Sequence, residues 1–382
     1  MIELTETQEA FREQVTRFAA EQIAPHARSW DDEDIYPRQL FRTLGELGWL
    51  GIGLPEAVGG GGGGAVERCL LLEGLAKASA GVALGIYVHT ALAAGALAEV
   101  ASAELRERHL NGLLGGEVTG AWAYAEPEAG ADVTRARLRA RRDGDRFILD
   151  GSKMYITNGT FADLLLVVAR TANEPGRLSG LSVFAVDGNT PGLTRQPMAK
   201  VGMRPSELAE LHFDGCAVDH DSLVGDLDHG FRQCLPVLSR GRVFGGALAL
   251  GLGSAAFEAA AGHIMTREQF GGPLAALQAV RFNIADMAVR LRAARALVYG
   301  AAVSMDAGRD FDAEASVAKL VASETATWLA ERAMHLHGAE GFMLDSPVQR
   351  YYRDCKILEY GEGANEIQRE LICKAVLAGF RP

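Results

Sequence analysis

The chain has 382 residues, 48% of them hydrophobic, with a formal charge of −11 at pH 7 and a sequence pI near 5.4. This length predicts two or three domains around a large core, and the acidic balance argues against a nucleic-acid surface, which needs clustered Lys and Arg to release counterions. Five cysteines without CxxC spacing (Cys69, Cys216, Cys234, Cys355 and Cys373) indicate neither a disulfide framework nor a zinc knuckle, and they fit a reducing cytoplasm.

The polar, acidic start MIELTETQEAFRE carries neither a secretory apolar core nor an Arg-rich transit segment. No apolar run reaches about 20 residues without a charge or many glycines, so no membrane span is expected. Thr5 with Gln8 three residues later forms a capping box, and Phe11, Val15, Phe18 and Ala19 recur at helical spacing, which predicts an opening amphipathic helix. Pro25 and Pro37 punctuate the next stretch. FRTLGELGWLGIGLPE reads as a helix running into a turn, the six glycines at 59–64 as a flexible connection, and Ala- and Leu-rich helices fill 66–116. From about residue 118 short strands take over: RARLRAR alternates, Asp143-Gly144 marks a tight turn, and RFILDGSKMYITNG, DLLLVVART, LSVFAVDG and ELHFDGCAV come after it. After Gly230 long helical segments return. The expected class is α+β, mainly α, with an N-terminal helical domain over 1–117, a small antiparallel β domain over 118–230 and a C-terminal four-helix bundle over 231–382.

Three motifs carry little chemistry. Gly251, Gly253 and Ala256 match GxGxxA but lie in a helical run with no preceding strand, so close helix packing explains them. The glycine run lacks the Lys and Ser/Thr of a phosphate loop. His335-x-His337 has no accompanying ligand pattern, and no metal site is assigned. Two others are suggestive. AWAYAEPEAGADVT, 121–134, reads as a strand end and turn exposing backbone N–H groups, suited to a flavin or another planar polar ligand. In MYITNG, 154–159, Tyr155, Ile156 and Thr157 alternate faces before an Asn-Gly turn, which a plain hairpin would also explain. Finally, EYGEGANEIQ sets a carboxylate, Glu362, between two glycines, where neither helix propensity nor an ion-pair pattern accounts for it.

Together these motifs make the chain resemble the acyl-CoA dehydrogenase family over essentially its whole length. The family's aromatic, Thr-Glu-Pro and Gly-Ser-Asp pattern stands here as WAYAEPEAGAD, and its Trp-Ile-Thr as YIT. Its Arg-x-x-Phe-Gly with downstream Gln stands as REQFGGPLAALQ, its Gly-Gly turn as HLHGAEGF, and its Glu-Gly-Thr with Ile-Gln as GEGANEIQ.

The resemblance implies FAD-dependent α,β-dehydrogenation of an acyl-CoA thioester, as in fatty acid metabolism, with electrons passed to an electron-transfer flavoprotein. It implies that Glu362 is the base, its glycine neighbours letting the backbone bend sharply, and that Arg242 is an electrostatic partner. Some relatives carry the base just before that arginine; here Gly241 cannot serve. The thioester would meet Ala131, Arg242, Gly361 and Gly363. The flavin would meet Trp122, Tyr124, Ala125, Gly130, Ala131, Tyr155, Ile156 and Thr157, with Ala364 and Glu366 beside the base. Arg267, Gln269, Phe270, Gln278, His335, Gly338 and Ala339 would hold the pyrophosphate and adenosine across a subunit boundary, in a homotetramer built as a dimer of dimers. Ala125, Ala131 and Ala364 stand where the family commonly has hydroxyls, and Gly361 replaces a frequent aromatic, which enlarges the expected acyl pocket. A carrier-bound acyl or aminoacyl substrate, a reduced flavin reacting with oxygen, and a helical scaffold without FAD remain open alternatives.

Overall fold

A computed structural model describes residues 3–172 and 178–379. Helices α1 (Glu6–Phe18), α2 (Ala27–Glu33), α3 (Gln39–Glu46), α4 (Ala65–Ala78), α5 (Ala80–Tyr87), α6 (Gly95–Val100) and α7 (Ala103–Leu114) come first. Strands β1 (Gly120–Ala123), β2 (Arg139–Asp143), β3 (Arg146–Thr157), β4 (Leu164–Arg170), β5 (Leu181–Asp187), β6 (Leu193–Pro197), β7 (Leu208–Asp219) and β8 (Leu223–Val224) occupy the middle of the chain. Then come α8 (Gly230–Gln233), α9 (Leu235–Thr266), the ribbon strands β9 (Glu268–Gln269) and β10 (Gly272–Pro273), α10 (Gln278–Asp306), α11 (Asp312–His337), α12 (Pro347–Asp354), α13 (Ile357–Tyr360) and α14 (Asn365–Ala378).

The opening capping box forms as its residues predict. Thr5 Oγ1 accepts from Gln8 N at 3.2 Å, and Gln8 Oε1 accepts from Thr5 N at 3.1 Å. The same glutamine then donates to Glu67 at 3.0 Å, tying α1 to α4. The glycine run, by contrast, is not a loose connection. Gly53 N donates to Gly62 O at 2.8 Å and Gly61 N to Gly51 O at 2.9 Å. A Cβ on Gly60 would stand 2.2 Å from Leu54 O, so the run folds back on residues 48–54 as a backbone-to-backbone contact that a side chain would force apart.

Two helical stretches, Ala80–Val100 and Leu235–Thr266, pass the length and hydropathy test for a membrane-crossing helix, although both carry the charges and glycines that the sequence shows. Their most apolar windows are 94% and 78% buried inside the protein. Each runs through the middle of the helical core, where a helix is apolar on all sides. The glycines of α9 serve that packing. A Cβ on Gly251 would lie 2.2 Å from Glu73 O of α4, and one on Gly253 would lie 3.0 Å from Leu329 Cδ1 of α11, so the GxGxxA spacing is a helix-contact feature.

The sheet runs β6-β7-β3-β2-β4-β5-β8. Its pairs are antiparallel except β1 with β4, in register from Gly120↔Leu164 to Ala123↔Val167, and a single β2–β4 pair, Arg139↔Arg170. Strand β4 is buried at every position. Leu165, Val167 and Ala169 join the sheet's own core with Phe147, Phe184 and Leu211, while Leu164, Leu166 and Val168 join the helical core. That two-sided burial is why its sequence reads as a continuous apolar run.

Candidate active site

Glu362 lies in the turn between α13 and α14, with φ 57, followed by Gly363 with φ 82. A side chain in this left-handed region costs about 1–2 kcal/mol, so the surroundings must hold it. Gly361 N closes α13 on Ile357 O at 2.7 Å. Lys319 of α11 donates to Gly363 O at 2.9 Å, Asn365 Oδ1 at 2.8 Å and Glu359 O at 3.4 Å. Gln368 Nε2 donates to Glu362 O and Gly363 O, both at 3.1 Å. Lys319 and Gln368 are both buried, so two side chains from the interior spend their donors on the carbonyls of one turn. Burial lowers Lys319 to about 8, against the raising pull of Glu362 and Glu359.

The carboxylate is lodged in a hollow on α9. A Cβ at Gly241 would stand 2.7 Å from Glu362 Oε2 and 2.9 Å from Tyr87 Oη, and one at Gly245 would stand 3.5 Å from Glu362 Cγ. Gly241 therefore does more than fail to supply a base: its missing side chain is the space the carboxylate and the phenol occupy. Tyr87 Oη donates to Gly241 O at 3.2 Å. Burial pushes Glu362 above the usual carboxylate value, while the Tyr87 hydroxyl, Arg242 and Lys319 pull it back. Arg242 is half-buried and donates to Ser239 Oγ at 3.4 Å. Tyr124, after β1, is raised by burial and then by the charge of Glu362, so the strand side faces the same carboxylate.

The two strand motifs meet. Met154 N donates to Ala125 O at 2.9 Å. Lys153 Nζ donates to Tyr124 O at 2.9 Å and to Glu126 Oε1 at 2.7 Å, and Glu126 also accepts from Arg137 N at 2.6 Å and Leu138 N at 3.0 Å. Lys153 is fully buried and burial lowers it to about 8, against the pull of Glu126. The sequence reading missed both members of this staple. The signal was period two: Phe147 and Leu149 face inward along β3, and Lys153 shares their parity.

Between Lys153 and Ile156 the register against β7 shifts. At this bulge Tyr155 takes φ 62 and leaves its ring 60% exposed, while Ile156 is buried and Thr157 half-buried. Asn158 does not turn a hairpin: with φ 63 it is buried and donates to Gly85 O at 3.0 Å and Gly120 O at 3.2 Å, bracketing β3 to α5 and β1. Gly130 and Ala131 are exposed at the turn, where Tyr124 Oη donates to Gly130 O at 3.3 Å. Trp122 Nε1 is buried without a partner among the described residues. An outward aromatic ring, a half-buried hydroxyl, an exposed backbone turn and an unspent indole donor fit a planar polar cofactor such as a flavin.

The remaining predicted residues lie elsewhere. Ala364 is half-buried at the start of α14, Glu366 is exposed on its first turn, and Gly361 is exposed. Arg267, Gln269, Phe270 and Gln278 are exposed on the ribbon and at the start of α10; His335, Gly338 and Ala339 are exposed at the end of α11. His263 stacks on His337 with centroids 4.1 Å apart. His263 is lowered by burial first, then by the nearby charges of His337 and Arg267, so ribbon and α11 end are neighbours. This locus is far from Glu362: Gly241 and Arg267 bracket nearly the whole of α9, roughly 39 Å at 1.5 Å per residue.

Models of the acyl-CoA dehydrogenase family match in chain order: the N-terminal domain over 5–117, the middle domain over 121–216 and the C-terminal domain over 228–377. The chain is 38% identical over 376 residues to the probable acyl-CoA dehydrogenase YngJ of Bacillus subtilis, covering 98% of this chain and 99% of that one. Among solved structures, butyryl-CoA dehydrogenase from Megasphaera elsdenii superposes with a TM-score of 0.95 at 34% identity, covering 99% of this chain and 100% of the other. A chain from the structure of the electron transferring flavoprotein of Acidaminococcus fermentans gives 0.96 at 34% identity, covering 99% of each.

Proposed function

The chain belongs to the acyl-CoA dehydrogenase family and is an oxidoreductase of that kind; from that premise we propose that it converts a saturated acyl-CoA thioester to the trans-2-enoyl thioester, using FAD and passing electrons to an electron-transfer flavoprotein. The observation that carries the reading is the Glu362 carboxylate, fixed by its turn and lodged in the Gly241 hollow. FAD, when bound, would supply the acceptor for a hydride from the substrate β-carbon. Glu362 takes the α-proton, and partial desolvation makes it a stronger base than a solvated carboxylate. Arg242 supplies a positive charge beside the carboxylate. Trp122, Tyr124, Ala125, Gly130, Ala131, Tyr155, Ile156 and Thr157 would hold the flavin ring. The likeness to a chain from an electron transferring flavoprotein structure supports the acceptor.

The separation between Gly241 and Arg267 supports an oligomer. One chain's ribbon cannot serve its own base, so Arg267, Gln269, Phe270, Gln278, His335, Gly338 and Ala339 would complete the cofactor site of another copy, in a dimer of dimers. A second reading keeps the chemistry and moves the acyl group to a carrier protein. Gly361, exposed and, among the described residues, with only Ile357 O within reach of an added Cβ, leaves open the space beside the base for a bulkier substrate.

The test replaces Glu362→Gln and mixes the purified flavoprotein anaerobically with butyryl-CoA. Bleaching of the flavin should fall by at least about a thousandfold; undiminished bleaching would remove this glutamate from the mechanism. Turnover on matched CoA and carrier-bound thioesters separates the two substrate readings, with a clear CoA preference supporting the first.

A further inference from the structure

Tyr87 closes α5, is 2% exposed, and presses its hydroxyl into the same hollow as the Glu362 carboxylate. The two oxygens stand 2.9 and 2.7 Å from the point where Gly241 would carry a Cβ, so they flank one small volume. A phenol has one proton to give. Two acceptors lie within its swing: Gly241 O, reached at 3.2 Å, and the carboxylate. Gly241 O is inside α9, where the amide four residues on already satisfies it. The hydroxyl is therefore not needed there to satisfy the helix.

We propose that Tyr87 is a positioning residue for the base, donating to the Glu362 carboxylate while it is charged and turning its proton back to Gly241 O once Glu362 has taken up the α-proton. The inference rests on Glu362 being that base. The balance is simple. One proton passes from the substrate α-carbon to a carboxylate oxygen, and the phenol proton is not transferred but rotates about the Cζ–Oη bond, leaving Tyr87 free to accept from the new carboxylic acid.

The surroundings fit this role. Tyr87 from α5, Arg242 from α9, Lys319 from α11 and Tyr124 from the strand side are the titratable or charged groups that act on Glu362. Arg242 and Lys319 act on the carboxylate through their charge, whereas the Tyr87 hydroxyl shares the Gly241 hollow with it. Burial, then the charge of Glu362, pushes the Tyr87 phenol well above its usual range, so it keeps its proton at every working pH. A hydrogen bond to a charged acceptor is worth more than one to a neutral acceptor, which favours the carboxylate as partner whenever that group is ionised.

The experiment compares wild type, Tyr87→Phe and Glu362→Gln. Anaerobic flavin bleaching by butyryl-CoA is followed from pH 5.5 to 9. Phenylalanine keeps the volume and removes only the hydroxyl. The Tyr87→Phe rate should fall about tenfold at the acid end and less than about twofold at the alkaline end, because the base stays protonated to higher pH. Difference infrared spectra, with Glu362→Gln subtracted to isolate the carboxyl stretch of Glu362, should show that band persisting to higher pH in Tyr87→Phe than in wild type. A rate lowered equally at both ends, or a carboxyl band that titrates unchanged, overturns the proposal and leaves Tyr87 as packing. Undiminished bleaching by Glu362→Gln would instead overturn the premise that Glu362 is the base.

Discussion

The Glu362 turn and the ribbon after α9, for which we propose roles in one reaction, are built in opposite ways. At the turn, a strained residue is held by buried donors from α11 and α14, and its side chain fills a hollow in α9. At the ribbon, Phe270 also has a positive φ, of 55, but its ring is 91% exposed, and Arg267, Gln269 and Gln278 are exposed beside it. The first region is over-determined within one chain. The second presents its side chains on the surface rather than packing them. Strain held from all sides marks a group whose aim matters before substrate arrives; exposed apolar and cationic groups mark a surface completed by something else.

The sharpest way to break this comparison is to fill the hollow. Gly241→Ala places a carbon where Oε2 and Oη would lie 2.7 and 2.9 Å away. The carboxylate must move, and a misplaced reacting group costs about a hundredfold in rate. Overpacking should lower stability by only about 1–3 kcal/mol. Rapid-reaction bleaching together with urea unfolding separates the two effects. A fully active Gly241→Ala enzyme would show that the carboxylate's position is not set by this contact.

Next in size is the ribbon. Arg267→Ala should weaken FAD retention by about tenfold, as expected for one lost charge-assisted contact, and leave apoprotein stability within about 0.5 kcal/mol, as for other exposed positions. Reconstitution of apoprotein with FAD measures the first and urea unfolding the second. Equal losses in both would mean that the ribbon is part of the folded core and that the contrast with the turn is false.

What could be read from sequence divides along the same line. The Thr5–Gln8 box and the Asp143-Gly144 turn are local, with every partner within three residues, so they were legible. The glycines on either side of Glu362 mark a sharp turn in the sequence, and the turn forms there with φ 57 at Glu362. Its support was not legible, because Lys319 lies 44 residues from Gly363 and Tyr87 lies 154 from Gly241. Asn158 reads as half of a turn dipeptide, but its amide is claimed by Gly85 and Gly120 across the fold. The glycine run was misread for a related reason: glycine suits a free loop and a backbone-to-backbone contact alike, and only the neighbours decide. The stretch Ala80–Val100 shows the same limit for hydropathy, since core and membrane helices share a composition.

The smallest effect concerns the lysine that holds the turn. Folding lowers Lys319 from its ordinary value of 10.5 to about 8, chiefly by burial. Between those values the unfolded chain keeps a proton that the folded chain has released. More protons on the unfolded state means that stability rises with pH, so this lysine contributes an upward slope from about pH 8 to about 10.5. Lys319→Met removes that contribution and leaves Gly363 O and Asn365 Oδ1 short of a donor. The variant should be less stable throughout, and its deficit relative to wild type should widen as pH climbs through the window. Urea midpoints at pH 7.5, 8.5 and 9.5 for both proteins measure the slope. Parallel lines would mean that Lys319 carries the same charge folded and unfolded, so that the turn is held by hydrogen bonds alone and burial of the ammonium costs nothing that pH can relieve.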